Sequence, residues 1–287
     1  TYIETKNTRI YQEIRENIPE TDILSDISGK KYSLIAEGIY EKRIGKSQFT
    51  GGIKHIQSYT DNKYTGTATT DVTMNQSESF AYGEYQLKTG KWSYMANLTL
   101  SLFYYSQRNN KNEKYALQPS LRVTYNPNQD LSFRYSVALK NNTPSIAYLN
   151  DVEQPIDVLQ VRRGNPGLKS FQSINQSFNA GYNKGLFGID ALVTYNYEHK
   201  PIMESIFYEE GKFVRTYDNQ KSFQNLAFEV DFHIKPWKDH LSISVIPGLN
   251  RYISHGNNYL HTYTMKSLRV NLDFSYRHWL ANFATIV

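Results

Sequence analysis

Residues 266–277 read Lys-Ser-Leu-Arg-Val-Asn-Leu-Asp-Phe-Ser-Tyr-Arg. Successive side chains of a strand point to opposite faces. Leu268, Val270, Leu272, Phe274 and Tyr276 therefore share one face, and Arg269, Asn271, Asp273 and Ser275 share the other. The same alternation recurs from about residue 32 to the C-terminus, in segments long enough to cross a bilayer when tilted. The turns between them are alternately short and long. That combination is the signature of a transmembrane β-barrel.

Working outward, apolar parity marks about twelve strands in an antiparallel meander. They lie near residues 32–41, 47–57, 78–88, 91–105, 115–126, 130–140, 171–183, 185–199, 222–235, 240–252, 265–276 and 281–287. The clearest lipid-facing sets are Trp92/Tyr94/Ala96/Leu98/Leu100/Leu102/Tyr104, Leu131/Phe133/Tyr135/Val137/Leu139 and Leu226/Phe228/Val230/Phe232/Ile234. Short turns fall at 42–46, 88–91, 126–130, 183–185, 236–239 and 277–280, rich in the Gly, Pro, Asn and Asp that tight turns require. Long loops are expected near 58–77, 106–114, 141–170, 200–221 and 253–264, with 200–221 rising as a hairpin through Glu209-Glu210-Gly211-Lys212. Outer-membrane barrels have short periplasmic turns and long extracellular loops, so the alternation also orients the sheet. The three tryptophans, Trp92, Trp237 and Trp279, sit at the short turns, where an interfacial girdle places amphipathic rings. Residues 1–30 do not alternate and are expected to form an extracellular loop segment, ahead of a partial barrel at 31–287. Within them 7–18 fits either a short helix ended by Pro19 or an irregular loop.

Composition agrees. Tyrosine supplies 24 of 287 residues and phenylalanine 14, while no apolar run approaches the roughly 18–20 residues of a membrane helix. The absence of cysteine excludes a disulfide framework and a thiolate metal site. Net charge is +5, but the basic residues are dispersed among acids without a basic stripe, which argues against nucleic acid as a partner.

The segment Arg163-Gly164-Asn165-Pro166-Gly167-Leu168-Lys169-Ser170, followed by Asn175 and by Phe178-Asn179-Ala180-Gly181-Tyr182, resembles the Gly-Asn-Pro-x-Leu-Lys-Pro-Glu, Asn, Leu-Gly-Tyr pattern of TonB-dependent outer-membrane receptors. Gln118-Pro119-Ser120-Leu121 and Leu131-Ser132-Phe133-Arg134-Tyr135-Ser136 look like the matching strands of that family, particularly its Bacteroidota branch. Ser170-Phe171 replaces the usual Pro-Glu, and the hallmarks of the SusC-like glycan importers near the end of the barrel are not recognisable. The resemblance implies a 22-stranded barrel in the bacterial outer membrane. A plug domain and TonB box, which nothing in this chain matches, would couple it to uptake of a scarce nutrient such as a siderophore. On this reading the chain is the C-terminal portion of such a barrel, with outer-membrane lipid, a small nutrient ligand and, through the plug, TonB as partners. The competing readings are a TonB-independent barrel (a porin or an assembly or export barrel) and a soluble all-β surface module.

Candidate sites follow from face and loop. Arg162, Arg163 and Lys169 lie in the longest loop, where guanidinium and ammonium groups would receive an anionic ligand. The alternative is that they pair with Asp151, Glu153 and Asp157 of the same loop or with lipopolysaccharide. Glu229, Asp231 and His233, with Arg269 and Asp273, are expected on the lumen-facing side. Glu229, Asp231 and His233 recur at the two-residue spacing of one strand face, where ordinary polar lumen outweighs a metal or general-base site. His255 and His261 flank a flexible loop and make no site by themselves. No nucleophile on a strained turn accompanies a histidine and an acid, so enzymatic activity, cofactors and bound metal are not expected.

Overall fold

The computed structural model describes all residues except 16, 17, 67, 68, 108, 109, 238, 239 and 287. Its principal element is a sheet of thirteen strands. In chain order these are β1 (Tyr2–Arg15), β2 (Ile18–Ile44), β3 (Ser47–Gly66), β4 (Thr70–Thr89), β5 (Trp92–Gln107), β6 (Asn110–Tyr125) and β7 (Leu131–Asn142), then β10 (Phe171–Lys184), β11 (Phe187–His199), β14 (Ser222–Trp237), β15 (Leu241–His255), β16 (Leu260–Tyr276) and β17 (Trp279–Ile286). Each strand pairs antiparallel with the next, as the meander requires. The four strands missing from that series, β8 (Gln154–Pro155), β9 (Gln160–Arg162), β12 (Ile202–Glu209) and β13 (Lys212–Asn219), form a second sheet in the order β12-β13-β9-β8. In it β9 and β13 run parallel. The helix among the described residues is a single turn, α1 (Ile146–Leu149).

The short turns are tight for a local reason. Gly45, Gly90 and Gly185 open their hairpins at φ +58°, +56° and +63°, a region nearly free of cost only without a Cβ. At the tip of the β12–β13 hairpin both Glu210 (φ 47°) and Gly211 (φ 81°) are left-handed, as a I′ turn demands. In the connection after Tyr125 the Asn128 Oδ1 accepts from the backbone N–H groups of Asp130 and Leu131. Lys238 and Asp239, expected in the turn after Trp237, lie outside the described residues.

The strand register carries each apolar set across the sheet. Ile53 faces Ala81, Ala81 faces Leu100, and Leu100 faces Leu117. Farther on, Val193 faces Phe228, and Phe228 faces Leu249. This outer face is exposed at large apolar side chains throughout, among them Leu100 at 57% and Phe228 at 45%. An open surface of leucine, phenylalanine and isoleucine is tolerated only when it meets hydrocarbon or another apolar surface. Aromatic rings mark one boundary. Near the short turns Phe49 lies 4.7 Å from Tyr85, Trp92 stacks at 4.3 Å on Tyr125, and Trp237 stacks at 5.3 Å on Tyr276. Tyr2, Tyr32 and Tyr59 form a second row of rings, 5.1 and 6.4 Å apart, toward the other end. Ten residues of strand between the boundaries, at ~3.3 Å each and tilted by ~45°, rise about 23 Å, close to the height of an outer-membrane apolar band.

Two expectations are corrected here. Residues 2–15 and 18–30 are strand: β1 pairs with β2 from Tyr2↔Tyr32 to Arg15↔Ile18, and neither a helix nor an irregular loop is formed over 7–15. The register shift between Glu13 and Ile14 falls opposite Pro19, a residue that lacks the N–H for a regular ladder. Second, the spans expected as loops at 58–77, 106–114 and 253–264 are largely continued hairpin, with β2 reaching 27 residues and β3 and β4 20 each. Above the apolar band both faces of a strand meet polar surroundings. The backbone ladder therefore continues while the two-residue alternation that reveals it in sequence disappears.

Candidate ligand-binding site

The face opposite the apolar one is where the inserted segments fold. Tyr64 of β3, Val72 and Met74 of β4, and Phe103 and Tyr105 of β5 form a buried cluster with Leu149 and Leu168 from the 143–170 segment; Ile27, Tyr148, Val152, Ile202 and Tyr217 pack around it. The segment thus lies against the inner face of the sheet just above the apolar band. Polar groups inside the cluster are chained: Tyr105 donates to Gln107, the Gln107 amide donates to Asn150 Oδ1 at 3.3 Å, and Asn150 donates to the Tyr64 hydroxyl at 2.5 Å. Burial pushes the Tyr105 hydroxyl well above the usual tyrosine range, and the Asp151 charge adds to it. Both rings remain neutral donors and acceptors at any physiological pH.

The Gly-Asn-Pro motif is the joint of this assembly. The Gly164 N–H donates to Asn150 O at 2.8 Å and the Asn165 N–H to Tyr148 O at 2.6 Å. A Cβ at residue 164 would stand 2.3 Å from Asn150 O and 2.7 Å from Tyr148 O. Asn165 donates through Nδ2 to Tyr217 O and to Asp218 Oδ1, both at 3.0 Å, and its Oδ1 receives the Gly167 N–H at 2.9 Å. Asn219 then receives the Lys169 N–H and donates to the carbonyls of Lys169 and Lys200. The 165–169 stretch is thereby fixed to β13 of the β12–β13 hairpin, and Tyr148 stacks at 3.9 Å on Tyr217.

The three basic residues of this segment do not converge. Arg163 is committed to acids, at 2.7 Å from Glu209 and 3.9 Å from Glu153, with its guanidinium 5.9 Å from the centre of the Phe207 ring. Glu153 was one of its expected loop partners; Glu209, from the neighbouring hairpin, was not legible in the sequence. Arg162 sits in β9 beside Arg215 of β13 and has a buried Nε without a hydrogen-bond acceptor. Lys169 is exposed. Its charge is felt by Lys114 of β6, whose ammonium is held below the ordinary lysine range first by burial and then by Lys169. Lys114, which parity alone did not single out, is the inner-face partner of Phe103.

Glu229, Asp231, His233, Arg269 and Asp273 all occupy the face on which the inserted segments pack. Arg269 reaches Glu229 at 3.2 Å. His233 stands 3.9 Å from Asp190 and 3.8 Å from Asp231, with its Nε2 2.9 Å from Asn183 Oδ1. The room for this cluster comes from Gly181 and Gly188, where a Cβ would strike Asp190 and His233. Among the described residues no group of three or more His, Asp or Glu side chains is placed to hold a metal ion.

An open antiparallel wall with an apolar outer face, aromatic boundaries and segments folded onto its inner face defines an outer-membrane-type β-barrel wall. The model of the outer membrane protein beta-barrel family matches residues 2–284, and the chain belongs to that family. It is a protein of the bacterial outer membrane. No curated protein matches it in sequence. Among solved structures it is similar to the FrpB iron transporter from Neisseria meningitidis (12% identity, TM-score 0.64, covering 93% of this chain and 43% of that one). It is also similar to the copper transporter OprC (10% identity, TM-score 0.72, 92% and 43%) and to the ferric enterobactin receptor PfeA from Pseudomonas aeruginosa (13% identity, TM-score 0.62, 95% and 44%). The chain therefore spans less than half the length of these neighbours, and at such identities the likeness is one of fold.

Proposed function

We propose that this chain is the barrel portion of a TonB-dependent outer-membrane receptor that imports a small, scarce, anionic nutrient, such as a metal chelate of the siderophore type. The observation that carries the reading is the vestibule above the apolar band. Strands β2 to β4 continue far past the roughly ten residues needed to cross the membrane. The Gly-Asn-Pro segment is folded inward against them, and Lys169 stands there close enough for its charge to be felt by Lys114. A diffusion pore gains nothing from such a walled, filled mouth, whereas a receptor needs rigid elements to hold a loop-borne site. The reading is supported by neighbours described as iron and copper transporters and a ferric enterobactin receptor, and by the resemblance of the 163–182 segment to the receptor pattern. Lys114 and Lys169 are the proposed anion-binding groups, with Arg163 holding the loop to the β12–β13 hairpin. The polar inner face with Glu229, Asp231, His233, Arg269 and Asp273 is the wall a plug domain would meet, and the β1–β2 hairpin is extracellular.

The test is uptake by cells expressing the full-length protein under nutrient limitation. Uptake should saturate and should vanish when TonB is deleted or the proton gradient is collapsed. Unsaturated uptake that ignores both would establish a passive pore instead.

A further inference from the structure

Within the apolar band the outer face is not equally apolar. On β3 and β4 four outward pairs lie in register between the two aromatic boundaries: Gly51 with Gly83, Ile53 with Ala81, His55 with Ser79 and Gln57 with Ser77. β4 therefore offers a floor of glycine, alanine and serine, and Leu98, Leu100 and Leu102 of β5 stand beside it. The outward sets of β14 and β15 instead carry Phe228, Phe232, Val245 and Leu249. The result is a groove of about 750 Å³ whose lining includes Ile53, His55, Ser79, Ala81, Leu100 and Tyr115. Its margins project strongly, with Ile53 69% and Leu100 57% exposed. Both strands are paired on both edges, so the groove is not a gap in the sheet. His55 Nδ1 is 2.8 Å from the Ser79 hydroxyl, and its Nε2 has no hydrogen-bond partner among the described residues. Gln57 donates through Nε2 to Asn75 Oδ1 and to Gln76 O, which leaves its Oε1 as an open acceptor.

We infer that this face is where two copies of the protein meet in the membrane. A two-fold axis along the membrane normal, passing between β3 and β4, presents the patch to itself. The Ile53 crest of each copy then faces the hollow over the partner's Ala81 and the partner's Gly83, and the absent side chains at Gly51 and Gly83 let the two walls approach closely. With Nδ1 accepting from the Ser79 hydroxyl, His55 Nε2 carries the ring proton. Each copy thus brings one donor, His55 Nε2, and one acceptor, Gln57 Oε1, to the same seam, and two copies can satisfy both reciprocally. An acyl chain would fill the hollow but leave these polar atoms in hydrocarbon without partners, which is costly. The occupant is therefore a protein surface with matching polar groups, and this face is its own match. Four strands ~4.8 Å apart and ten residues at ~3.3 Å outline on the order of 600 Å² per copy, the lower end of specific interfaces, so the association is reversible. The inference rests on the face assignment of the sheet and not on the proposed transport function.

The test uses the full-length protein in its own outer membranes, with any other cysteines replaced, and compares I53C with F228C, both outward and exposed. Oxidation with copper phenanthroline should link I53C rapidly, and F228C slowly, into a species that mass spectrometry identifies as two copies of this protein. Filling the hollow by A81F should slow the I53C reaction on the order of tenfold, since an overpacked contact must open. H55L, which keeps the bulk and removes the donor, should slow it as well. Heat-modifiable gel migration checks that the A81F and H55L barrels are folded. Equal linking at the two positions, linking of I53C to a different protein, or a rate untouched by A81F would each overturn the dimer. So would native mass spectra of the unaltered protein, released from detergent at rising concentration, that show monomer alone, a measurement that needs no variant.

Discussion

Replacing Gly164 by alanine tests the claim that the Gly-Asn-Pro segment is a structural joint. Gly164 does not have a positive φ, so alanine meets no backbone penalty, and its effect is purely the methyl group 2.3 Å from Asn150 O and 2.7 Å from Tyr148 O. Both obstacles are backbone, and no rotamer change relieves them. The 163–165 chain must move away from 148–150, breaking two hydrogen bonds worth about 0.5–1.5 kcal/mol each in net terms. Movement also loosens Leu149 and Leu168, each 1% exposed, and complete exposure costs about 1.5–3 kcal/mol per side chain. If half of that apolar burial is lost, the docked state is weakened by about 2.5–6 kcal/mol, or roughly two to four decades in the opening equilibrium. The barrel wall does not depend on this joint. Hydrogen exchange at the amides of residues 148–168 should therefore accelerate strongly, while heat-modifiable gel migration of the folded barrel stays unchanged. Unaltered exchange in G164A, with the substitution confirmed, would refute the docking argument.

Three further outcomes follow from the geometry. Phe228→Lys places a charge in the apolar band and should cost about 2–4 kcal/mol of folding stability in bilayers, whereas Arg269→Gln, which breaks an ion pair whose partners are more than a third exposed, should cost at most ~1 kcal/mol; urea titrations of folded barrel in liposomes that gave equal losses would reverse the face assignment. Single-tryptophan variants retaining Trp92, Trp237 or Trp279 should be quenched alike by lipids brominated near the headgroup and poorly by deep bromines, and a deep position for any of them would break the girdle. Because burial and then Lys169 depress the Lys114 ammonium, Lys114 should acetylate faster than other lysines at mildly alkaline pH. The folded state binds this proton less readily than the unfolded chain, so the destabilisation it causes at neutral pH is relieved as pH rises through the lowered pKa toward 10.5; Lys169→Met should slow the acetylation modestly, since the larger cause, burial, remains.

Inside the apolar band the sequence determined nearly everything. A side chain there meets either hydrocarbon or the polar interior, so the two-residue period in 226–234 or 266–277 fixes strand, face and register at once, and the turn glycines fix the hairpin ends. Above the band that constraint lapses, and β1, the upper halves of β2 to β4 and the small sheet left no periodic trace. There the backbone ladder persists without an apolar face to announce it. The candidate site was legible only as a place. The longest loop and its basic residues could be named, but Arg163 was found pinned by Glu209, a residue 46 positions away on another hairpin. Lys114 was brought beside Lys169 from a strand that reads as ordinary wall. Which cations are neutralised and which are left for a ligand depends on contacts between segments far apart in the chain, and only the tertiary fold decides them.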